Sequence, residues 1–414
     1  MPDADPTPIA PVPLALTELR PDAPLNDLSP LLEVIGDARI IGLGESAHVV
    51  HEFYLARHRI LRFLVEQLDV RAFVMESGWC EGMAVHDWVR GGDGDIDELL
   101  TNGFTYGLGA CREMRDQLQW MRQHNASGGN TVDYFGMDML SNLATPEPGL
   151  RQVWQFLEQA DEGAAQHFRP PIDTLFGAFA GPDRCTDRYL QVPQASRDRL
   201  TALLADLALL FDGHEPAYAA AMGDDAYAVA RRHLRLVEQF EHLVRGVTSP
   251  ERSMTDGRDD GRLRDLYMAE NVSWILDRLG PGARIVVAAH NGHLQRHPAR
   301  ARAAGSRELV VTMPASLGRY LDLRHGDDYR AIAFTHAHCE GMPDQQLEPV
   351  RREDGAVEAL LTGRGSTPLL LPTVGLRPEV AHAVGRNPVY FDLQLDRAFD
   401  AVLHVDRTRV FDAV

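Results

Sequence analysis

The chain has 414 residues, of which 44% are hydrophobic and 24% charged, so it is long enough for two or three domain-sized units and apolar enough to bury a core. Its formal net charge of −19 argues against nucleic acid or an anionic membrane surface as the main partner, because both require a basic face. All 41 of its Lys and Arg side chains are Arg, which excludes Schiff-base and Lys general-base chemistry.

The cysteines and the N-terminal segment give expectations about the compartment. The four Cys residues are scattered without a C-x-x-C pair, which predicts free thiols in a reducing, cytoplasmic compartment. Residues 1–25 are Pro-rich and lack the basic and apolar segments of a signal peptide, so we expect a poorly ordered lead-in. No run of about 18 apolar residues occurs, and no transmembrane helix is therefore expected.

Short runs rich in Val and Ile alternate with longer helical patterns on both sides of the middle of the chain. The predicted strands cover 38–44, 71–77, 132–138, 283–290, 308–314, 329–335, 388–394 and 401–408. Between the first two, residues 51–69 carry apolar side chains at helical spacing. A strand, a helix and a strand in this order form a right-handed crossover, which predicts a mostly parallel sheet.

The middle of the chain differs, because its runs are longer and rich in Ala, Leu, Arg and Glu. This composition predicts a large helical insertion at residues 147–280, interrupted by a polar loop at 248–262, which would form a lid or second lobe. The predicted fold class is thus α/β, with a mostly parallel central sheet flanked by helices. Residues 26–146 would form the first half of the core, and residues 281–414 the second half with the C-terminal region.

Polar side chains, most of them ionisable, lie at the ends of four predicted strands. Glu45, Ser46 and His48 come just after the first strand, the second ends near Glu76, the third ends in Asp138, and the fourth ends in His290, followed by Asn291 and His293. Ligands of an open parallel sheet bind beyond the carboxyl ends of its strands, so these side chains are expected to meet in one cleft. An imidazole beside a carboxylate can be held neutral and oriented as a general base.

Each of these residues also has a structural explanation. Glu45 could cap the helix that follows it. The absence of the G-x-S-x-G pattern favours a structural role for Ser46, as an N-cap or turn residue, over a role as a nucleophile. The H-x-x-H spacing of His290 and His293 would allow a metal pair, although no H-E-x-x-H pattern is present. Arg57, on the following helix, could reach back to the cleft as an anion anchor or lie solvated on the polar face.

The segment GLGESAHVVHEFYLARHRILRFLVEQLDVRAFVMESGW, residues 42–79, resembles the signature of the erythromycin esterase family. The resemblance continues in REMRDQLQWMRQHN from 112, VDYFGMD from 132, RDLYMAENVSWIL from 264 and VVAAHNGHL from 286. The chain departs from the family pattern at Ala47, where Thr is frequent, and at Val49, where Gly is frequent. These motifs are long and lie in both predicted halves of the core.

The resemblance implies a hydrolase that opens a macrocyclic lactone or another natural-product ester without a Ser nucleophile. By motif position, His48 would be the general base that activates water. Glu45 and Glu76 would orient or tune it, and Glu76 would stabilise the imidazolium that forms. The residues expected to line the cleft and stabilise the oxyanion are Arg57, His290 and His293, and those expected to bind substrate are Ser46, Glu113, Asp138, Arg264 and Asn291.

The same cleft would also suit a biosynthetic enzyme that catalyses an intramolecular cyclisation or an elimination on a polyketide-type intermediate. The expected partner is a small molecule, and the helical insertion would supply the apolar walls that it needs. We expect no cofactor, with a divalent metal ion as the alternative. No nucleic-acid or membrane partner is expected, and the oligomeric state is left open.

Overall fold

The computed structural model describes residues 11–248, 260–303, 309–313, 315–341, 355–364, 367–378, 381, 383–386 and 389–414. Over these residues the chain forms an eight-stranded sheet, a four-stranded sheet and the helices packed around them. Residues 1–10 of the expected lead-in and residues 249–259 of the expected polar loop lie outside the described residues.

Twelve strands lie in the described residues. They are β1 Leu14–Ala15, β2 Ile40–Leu43, β3 Val70–Gly78, β4 Asp133–Asp138, β5 Arg284–Ala288, β6 Ala299–Ala303, β7 Leu309–Met313, β8 Tyr329–Glu340, β9 Leu369–Pro372, β10 Ala383–Arg386, β11 Val389–Asp392 and β12 Ala401–Arg409.

The described helices fall into three groups along the chain. Those before β5 and outside the middle region are α1 Pro30–Ile35, α2 His51–Leu68, α3 Trp79–Val89, α4 Ile96–Asn102 and α5 Arg112–Ala126. Those of the middle region are α6 Glu147–Ala160, α7 Glu162–Gly177, α8 Thr186–Gln191, α9 Gln194–Gly213, α10 Glu215–Met222, α11 Asp224–Val247 and α12 Asp260–Leu279. The last are α13 Asn291–Leu294, α14 Leu317–His325, α15 Glu358–Leu361 and α16 Leu395–Ala398, and short 3₁₀ turns occupy Asn26–Leu28, Leu140–Leu143 and Gly326–Asp328.

Six parallel strands form the centre of the larger sheet, in the order β12-β8-β2-β5-β3-β4. β9 pairs antiparallel with the outer side of β12, and β1 pairs antiparallel with β9. Such near-continuous apolar strands are stable where helices cover both faces of a sheet. The predicted α/β class with a mostly parallel central sheet is confirmed.

The sheet carries one hydrophobic core on each face, because successive side chains of a strand point to opposite sides. Ile40 and Val287 belong to the core that also contains Trp154 and Phe240 of the middle helices. Ile41 on the opposite face belongs to a second core with the residues of α2 and α5. The middle helices therefore cover one face of the sheet, and none of the described helices is long and apolar enough to cross a membrane.

Two predicted strands, 308–314 and 388–394, join a different sheet from the others, the second of them as β11. Residues 308–314 were expected as a strand, and Leu309–Met313 form β7. This strand pairs antiparallel with β6 in the four-stranded sheet, whose order is β10-β11-β6-β7. An apolar run predicts a strand but contains no information about its partner, since pairing is decided by tertiary packing.

Part of the segment expected to be a poorly ordered lead-in is packed onto the core. Leu14 and Ala15 pair with β9, and Leu16 is buried. From α2, the buried Arg59 donates to the carbonyl oxygen of Glu18 at 2.6 Å and forms an ion pair with Asp27 at 2.6 Å. The guanidinium thus satisfies backbone groups that a Pro-rich segment cannot pair in a sheet.

Candidate active site

The carboxyl ends of three adjacent parallel strands hold the first polar side chains. β2, β5 and β3 lie side by side, and Glu45, His290 and Glu76 come at or just beyond their ends. Within β3, the pairing with β4 shifts register between Met75 and Gly78, and such an irregularity re-aims the side chain between them. The strand order therefore brings these tips to one edge, as the sequence predicts.

A buried carboxylate, Glu45, connects the end of β2 to the following helix. Its Oε2 accepts a hydrogen bond from Arg57 Nη1 at 2.8 Å, and its Oε1 lies 2.6 Å from His48 Nδ1. The buried Arg57 also donates to the carbonyl oxygens of Gly44 at 3.0 Å and Ala289 at 3.2 Å. Glu45 is held between a fixed cation and an imidazole, which fixes the orientation of His48.

His48 is the member of this group that faces solvent, with 46% of its side chain exposed. When Nδ1 donates its proton to Glu45, the neutral ring presents a lone pair at Nε2, which has no hydrogen-bond partner among the described residues. Withdrawal from water acts to lower the pKa of His48, but the hydrogen bond and charge of Glu45 raise it above its ordinary value. The geometry thus offers a basic nitrogen to an incoming molecule.

A second carboxylate, Glu76, is buried and ionised. Its Oε1 accepts from Arg264 Nη2 at 2.8 Å and lies 3.2 Å from His293 Nε2, and its Oε2 accepts from the backbone nitrogen of His290 at 2.8 Å. Burial acts to raise the pKa of Glu76, but the charges of His293 and Arg264 hold that pKa well below its usual range. Glu76 is therefore the anion that joins two cations.

The carboxylate partner of His48 differs from the one that the sequence analysis assigned. Glu76 was expected to stabilise the imidazolium of His48, yet the carboxylate hydrogen-bonded to that ring is Glu45. Both oxygens of Glu76 are taken by Arg264, His293 and the backbone at His290. Glu45 is only three residues from His48, and the turn after β2 places the two side chains in contact.

His293 is a buried cation with a carboxylate at each ring nitrogen. Its Nδ1 lies 2.7 Å from Asp265 Oδ1, and Asp265 also accepts from the backbone nitrogen of Leu317 at 2.7 Å. Burial acts to lower the pKa of His293, but the charges of Asp265 and Glu76 raise it to about 10. The raised pKa favours the doubly protonated ring at neutral pH, in which His293 is a cation between Asp265 and Glu76.

Arg264 bridges the ends of two strands. Its Nε donates to Asp138 Oδ1 at 3.0 Å while Nη2 binds both Asp138 and Glu76. Asp138 is completely buried and also accepts from Tyr106 Oη at 3.2 Å. The ring of Tyr106 lies against the guanidinium, 5.7 Å from its carbon. The two carboxylates and the ring thus hold Arg264 in one orientation.

These groups surround a pocket of about 280 Å³. The polar residues that line it are His48, Glu76, Tyr106, Asn142, Arg184 and Arg264, and the apolar ones are Met139, Leu143 and Leu243. Arg184 and Leu243 come from the helical middle region, so the pocket lies between the edge of the sheet and that region. Its volume is at the lower end of the range for small-molecule sites, which is about 300–1,000 Å³.

Two residues expected to stabilise an oxyanion are turned away from the pocket. Arg57 is buried against Glu45 and two carbonyl oxygens, and it does not line the pocket. Nε2 of His290 lies 3.1 Å from the carbonyl oxygen of Ser46. Its Nδ1 accepts a hydrogen bond from the backbone nitrogen of Gly292 at 3.0 Å. Both ring nitrogens are thus engaged by backbone groups.

Two of the residues expected to bind substrate contact other parts of the protein instead. Asn291 is fully buried, and its amide group donates to the carbonyl oxygen of Phe334 at 2.8 Å and accepts from the nitrogen of Phe334 at 3.1 Å. The hydroxyl of Ser46, also buried, lies 3.3 Å from His336 Nδ1. The geometry favours a positioning role for both, whereas Asp138 and Arg264 belong to the pocket region as expected.

Glu113 lies in a different cluster. It is located in the first turn of α5, where its Oε1 binds His51 Nδ1 and accepts from the backbone nitrogen of Asp412 at 3.1 Å. It does not line the pocket with His48. The substrate contact expected of Glu113 therefore has no support in this pocket.

Sequence reasoning missed four polar residues of the site, Asp265, Tyr106, Arg184 and Asn142, as well as the apolar residues that line the pocket. Asp265 follows Arg264 directly in the RDLYMAEN motif, and this adjacency is a signal that could have identified it. Tyr106 lies in the Gly-rich segment NGFTYGLG and Arg184 in a loop before α8, where neither hydrophobic periodicity nor a strand end marks a residue. Such loop residues become visible only when the chain folds.

Strained backbone is concentrated around the pocket. Among the described residues, the non-glycine residues with positive φ are Val49, Asp69, Tyr106, Asn142 and Leu143. Three of these line the pocket, and a fourth, Val49, follows His48 directly. Left-handed conformations of non-glycine residues cost about 1–3 kcal/mol and are retained at functional sites when the surroundings enforce them.

Val49 lies where the family pattern frequently has Gly, and its φ is 61°. We expect Val49→Gly to be more stable than Val49→Ala by about 1 kcal/mol, because only Ala retains the Cβ that disfavours this conformation. Chemical denaturation of both variants measures the difference. At the exposed Leu209 in the interior of α9, the same two replacements should give the reverse order, and equal stabilities at position 49 would contradict the strain.

The fold and the pocket together define an α/β protein with a His, Glu and Arg site at the carboxyl edge of a parallel sheet. The sequence model of erythromycin esterase matches residues 65–408. The chain therefore belongs to the erythromycin esterase family, as its motifs predict.

Two Escherichia coli proteins and one solved structure are similar to most of the chain. Erythromycin esterase type II of Escherichia coli is 24% identical over 418 residues, which cover 95% of this chain and 95% of that protein. Erythromycin esterase type I of Escherichia coli is 27% identical over 320 residues, which cover 75% and 73%. A mutant of the erythromycin esterase EreC in its open conformation has a TM-score of 0.76 at 23% identity, covering 96% of this chain and 97% of that chain, and shares its fold.

Proposed function

We propose that this protein hydrolyses an ester of a small natural product, with His48 as the general base that activates water. The observation that carries the proposal is the pair formed by Glu45 and His48, at 2.6 Å, beside a pocket that is also lined by Arg264. Membership of the erythromycin esterase family and likeness to two Escherichia coli erythromycin esterases support ester hydrolysis. A lactone is included in this substrate class.

The proposed reaction begins with a water molecule hydrogen-bonded to Nε2 of neutral His48. His48 removes a proton from this water as the oxygen attacks the ester carbonyl carbon, and Glu45 stabilises the imidazolium that forms. When the tetrahedral intermediate collapses, the carbon–oxygen bond of the ester breaks and His48 returns the proton to the leaving alkoxide. A carboxylic acid and an alcohol result, and no Ser nucleophile takes part.

Arg264 is the proposed electrostatic partner of the developing oxyanion. It is the cation fixed by Glu76 and Asp138 that also lines the pocket with His48. A charge held in place before the reaction stabilises the transition state without reorganisation. Arg264 therefore takes the role that the sequence analysis gave to Arg57 and His290, and His293 acts on the site through Glu76.

The small pocket places a limit on how a substrate binds. A volume of about 280 Å³ holds an ester group and its neighbouring atoms rather than a whole macrolide. We propose that the remainder of a larger substrate lies between the sheet edge and the helical middle region, which already contributes Arg184 and Leu243 to the wall. This region then acts as the lid that the sequence analysis expected. None of the four Cys, which all lie in the described residues, forms a disulfide, and this supports a reducing, cytoplasmic compartment.

Incubation in ¹⁸O-labelled water tests the function most simply. A panel of macrolactones, linear esters and polyketide-type intermediates is offered to the protein, and products are analysed by mass spectrometry. Hydrolysis adds one water and places one label in the carboxylate of the product. A product without added water or label would identify the alternative, an intramolecular cyclisation or elimination in which His48 deprotonates a substrate hydroxyl.

The pH dependence of the reaction should report on His48. Because its pKa is raised, kcat/KM is expected to fall as the pH decreases through a value above 6.5, the range in which a His with an ordinary pKa titrates. Glu45→Gln removes the charge that raises the pKa, so its acid limb should move to lower pH while the plateau also decreases. A pH profile of both proteins checks this, and an acid limb that stays in place would contradict the pairing.

A further inference from the structure

A second cluster of ligand-type side chains begins three residues after His48. His51 opens α2, Glu113 lies in the first turn of α5, and Asp412 lies in the C-terminal segment after β12. One ligand atom from each of the three lies within 4.8 Å of the others. We propose that His51, Glu113 and Asp412 bind a divalent transition-metal ion of the zinc type, at a site separate from the proposed catalytic pocket.

The types of ligand select this class of ion. An imidazole nitrogen with two carboxylate oxygens is a common set for zinc and its neighbours, whereas calcium and magnesium prefer oxygen ligands alone. Ligand atoms about 2 Å from a tetrahedral metal are about 3.3 Å apart. Atoms already within 4.8 Å of one another therefore need only small side-chain movements to reach this arrangement, and water would fill the fourth position.

An unpaired buried oxygen gives an independent reason to expect a ligand. Glu113 is only 4% exposed, and no nitrogen or oxygen of the described residues donates to its Oε2, although the Cys111 thiol is a weak donor to this carboxylate. A buried carboxylate oxygen without a strong donor is costly, because it has lost its water. A metal ion bound by Glu113 would compensate for that loss. The hydrogen bonds that the other oxygen, Oε1, accepts from His51 and from the backbone nitrogen of Asp412 do not.

Arg409 competes with the metal ion in this cluster. Its guanidinium donates to both oxygens of Asp412, at 2.5 Å and 3.1 Å, and Nη2 lies 3.2 Å from His51 Nε2. The guanidinium thus supplies the positive charge when no metal is bound. Metal binding would turn the carboxylate of Asp412 from Arg409 toward the ion, so removal of Arg409 should strengthen binding.

An ion can reach the cluster from solvent. His51 lines an open pocket of about 640 Å³ together with Glu52, and the side chain of Asp412 is 48% exposed. A solvent path of this kind is one requirement for a real metal site. The acidic character of Glu52 beside His51 would favour the approach of a cation.

The site would connect three segments that surround the proposed base. Val50 pairs with Val410, and Phe411 donates to the carbonyl oxygen of Val49 at 2.9 Å. A metal bridging His51, Glu113 and Asp412 would fasten the C-terminal segment to the starts of α2 and α5. Its proposed role is structural, and the inference is independent of the reaction proposed for His48.

The experiment measures metal binding directly on untagged full-length protein after chelator treatment. Co²⁺ is titrated with detection of its d–d absorption, and Zn²⁺ is titrated by calorimetry, with Ca²⁺ as the hard-ion control. We expect the protein to bind one equivalent of Zn²⁺ or Co²⁺, and to bind either ion more tightly than Ca²⁺. Binding should raise the melting temperature of the protein. Asp412→Asn and His51→Gln should each weaken binding at least about tenfold, and Arg409→Gln should tighten it.

The exposed His167 on α7 provides a matched control, because His167→Gln removes one of 17 His without touching the cluster. This variant should bind as the wild type does. The absence of one-equivalent binding in wild-type protein would overturn the proposal. So would an unchanged dissociation constant in Asp412→Asn, whose exposed side chain can be replaced without loss of the fold.

Discussion

Replacement of His48 by Asn is expected to lower kcat/KM for ester hydrolysis by about 10²–10⁴-fold, the usual contribution of a positioned general base. The change removes the only imidazole among the described residues that line the pocket beside Arg264. Glu45 keeps its bond to Arg57, so the fold should survive. Steady-state kinetics on the best ester from the substrate panel measures the effect.

His167→Asn is the control for this variant, since His167 is exposed on α7 and should leave kcat/KM unchanged. Circular dichroism and thermal unfolding establish that His48→Asn retains the fold, with an expected change in unfolding free energy within about 1 kcal/mol. Near wild-type turnover by a folded His48→Asn would remove His48 as the base, whatever the protein hydrolyses.

Among the substitutions proposed, Glu76→Gln should cause the largest decrease in the free energy of unfolding. The carboxylate is buried between Arg264 and His293, and removal of one partner from a buried ion pair costs about 3–5 kcal/mol. We expect about 3 kcal/mol at pH 7, the lower end of that range, because Asp138 and Asp265 still neutralise the two cations. Arg264 would also lose its alignment, with a loss of about 10²-fold in kcat/KM.

The pH dependence distinguishes this effect from a general packing defect. Since the pKa of Glu76 is lowered in the folded protein, its ionised form contributes stability above its unfolded value of about 4.3, and that contribution disappears as the pH falls. Denaturation at pH 7 and pH 4 should show a smaller difference between wild type and Glu76→Gln at pH 4. The exposed Glu98→Gln should change stability by less than about 0.5 kcal/mol, and a pH-independent loss in Glu76→Gln would contradict the ion-pair explanation.

Many of the strands and helices could be predicted from local sequence patterns. The strand ends at Leu43 and Asp138 and the helix from His51 follow from apolar runs and helical spacing, which report burial directly. The partner of Leu309–Met313 did not follow, because strand pairing depends on contacts far away in the sequence. The packing of Leu16 likewise depends on strand β9, more than 350 residues later in the chain.

The sequence indicated which types of residue form the site but not which of their side chains contact one another. Strand ends predicted correctly that Glu45, Glu76, Asp138 and His290 share one edge. The choice between Glu45 and Glu76 as the partner of His48 depends on side-chain directions that the sequence does not contain. Asp265, which raises the pKa of His293, was hidden because a carboxylate in a helix is usually exposed.

Nuclear magnetic resonance titration of the His48 ring nitrogens tests the central arrangement most directly. We expect Nδ1 to remain protonated toward Glu45 while Nε2 titrates with a pKa above 6.5, at the same pH as the acid limb of kcat/KM. A neutral ring protonated at Nε2, or a pKa for His48 at or below that of a free imidazole side chain, would contradict it.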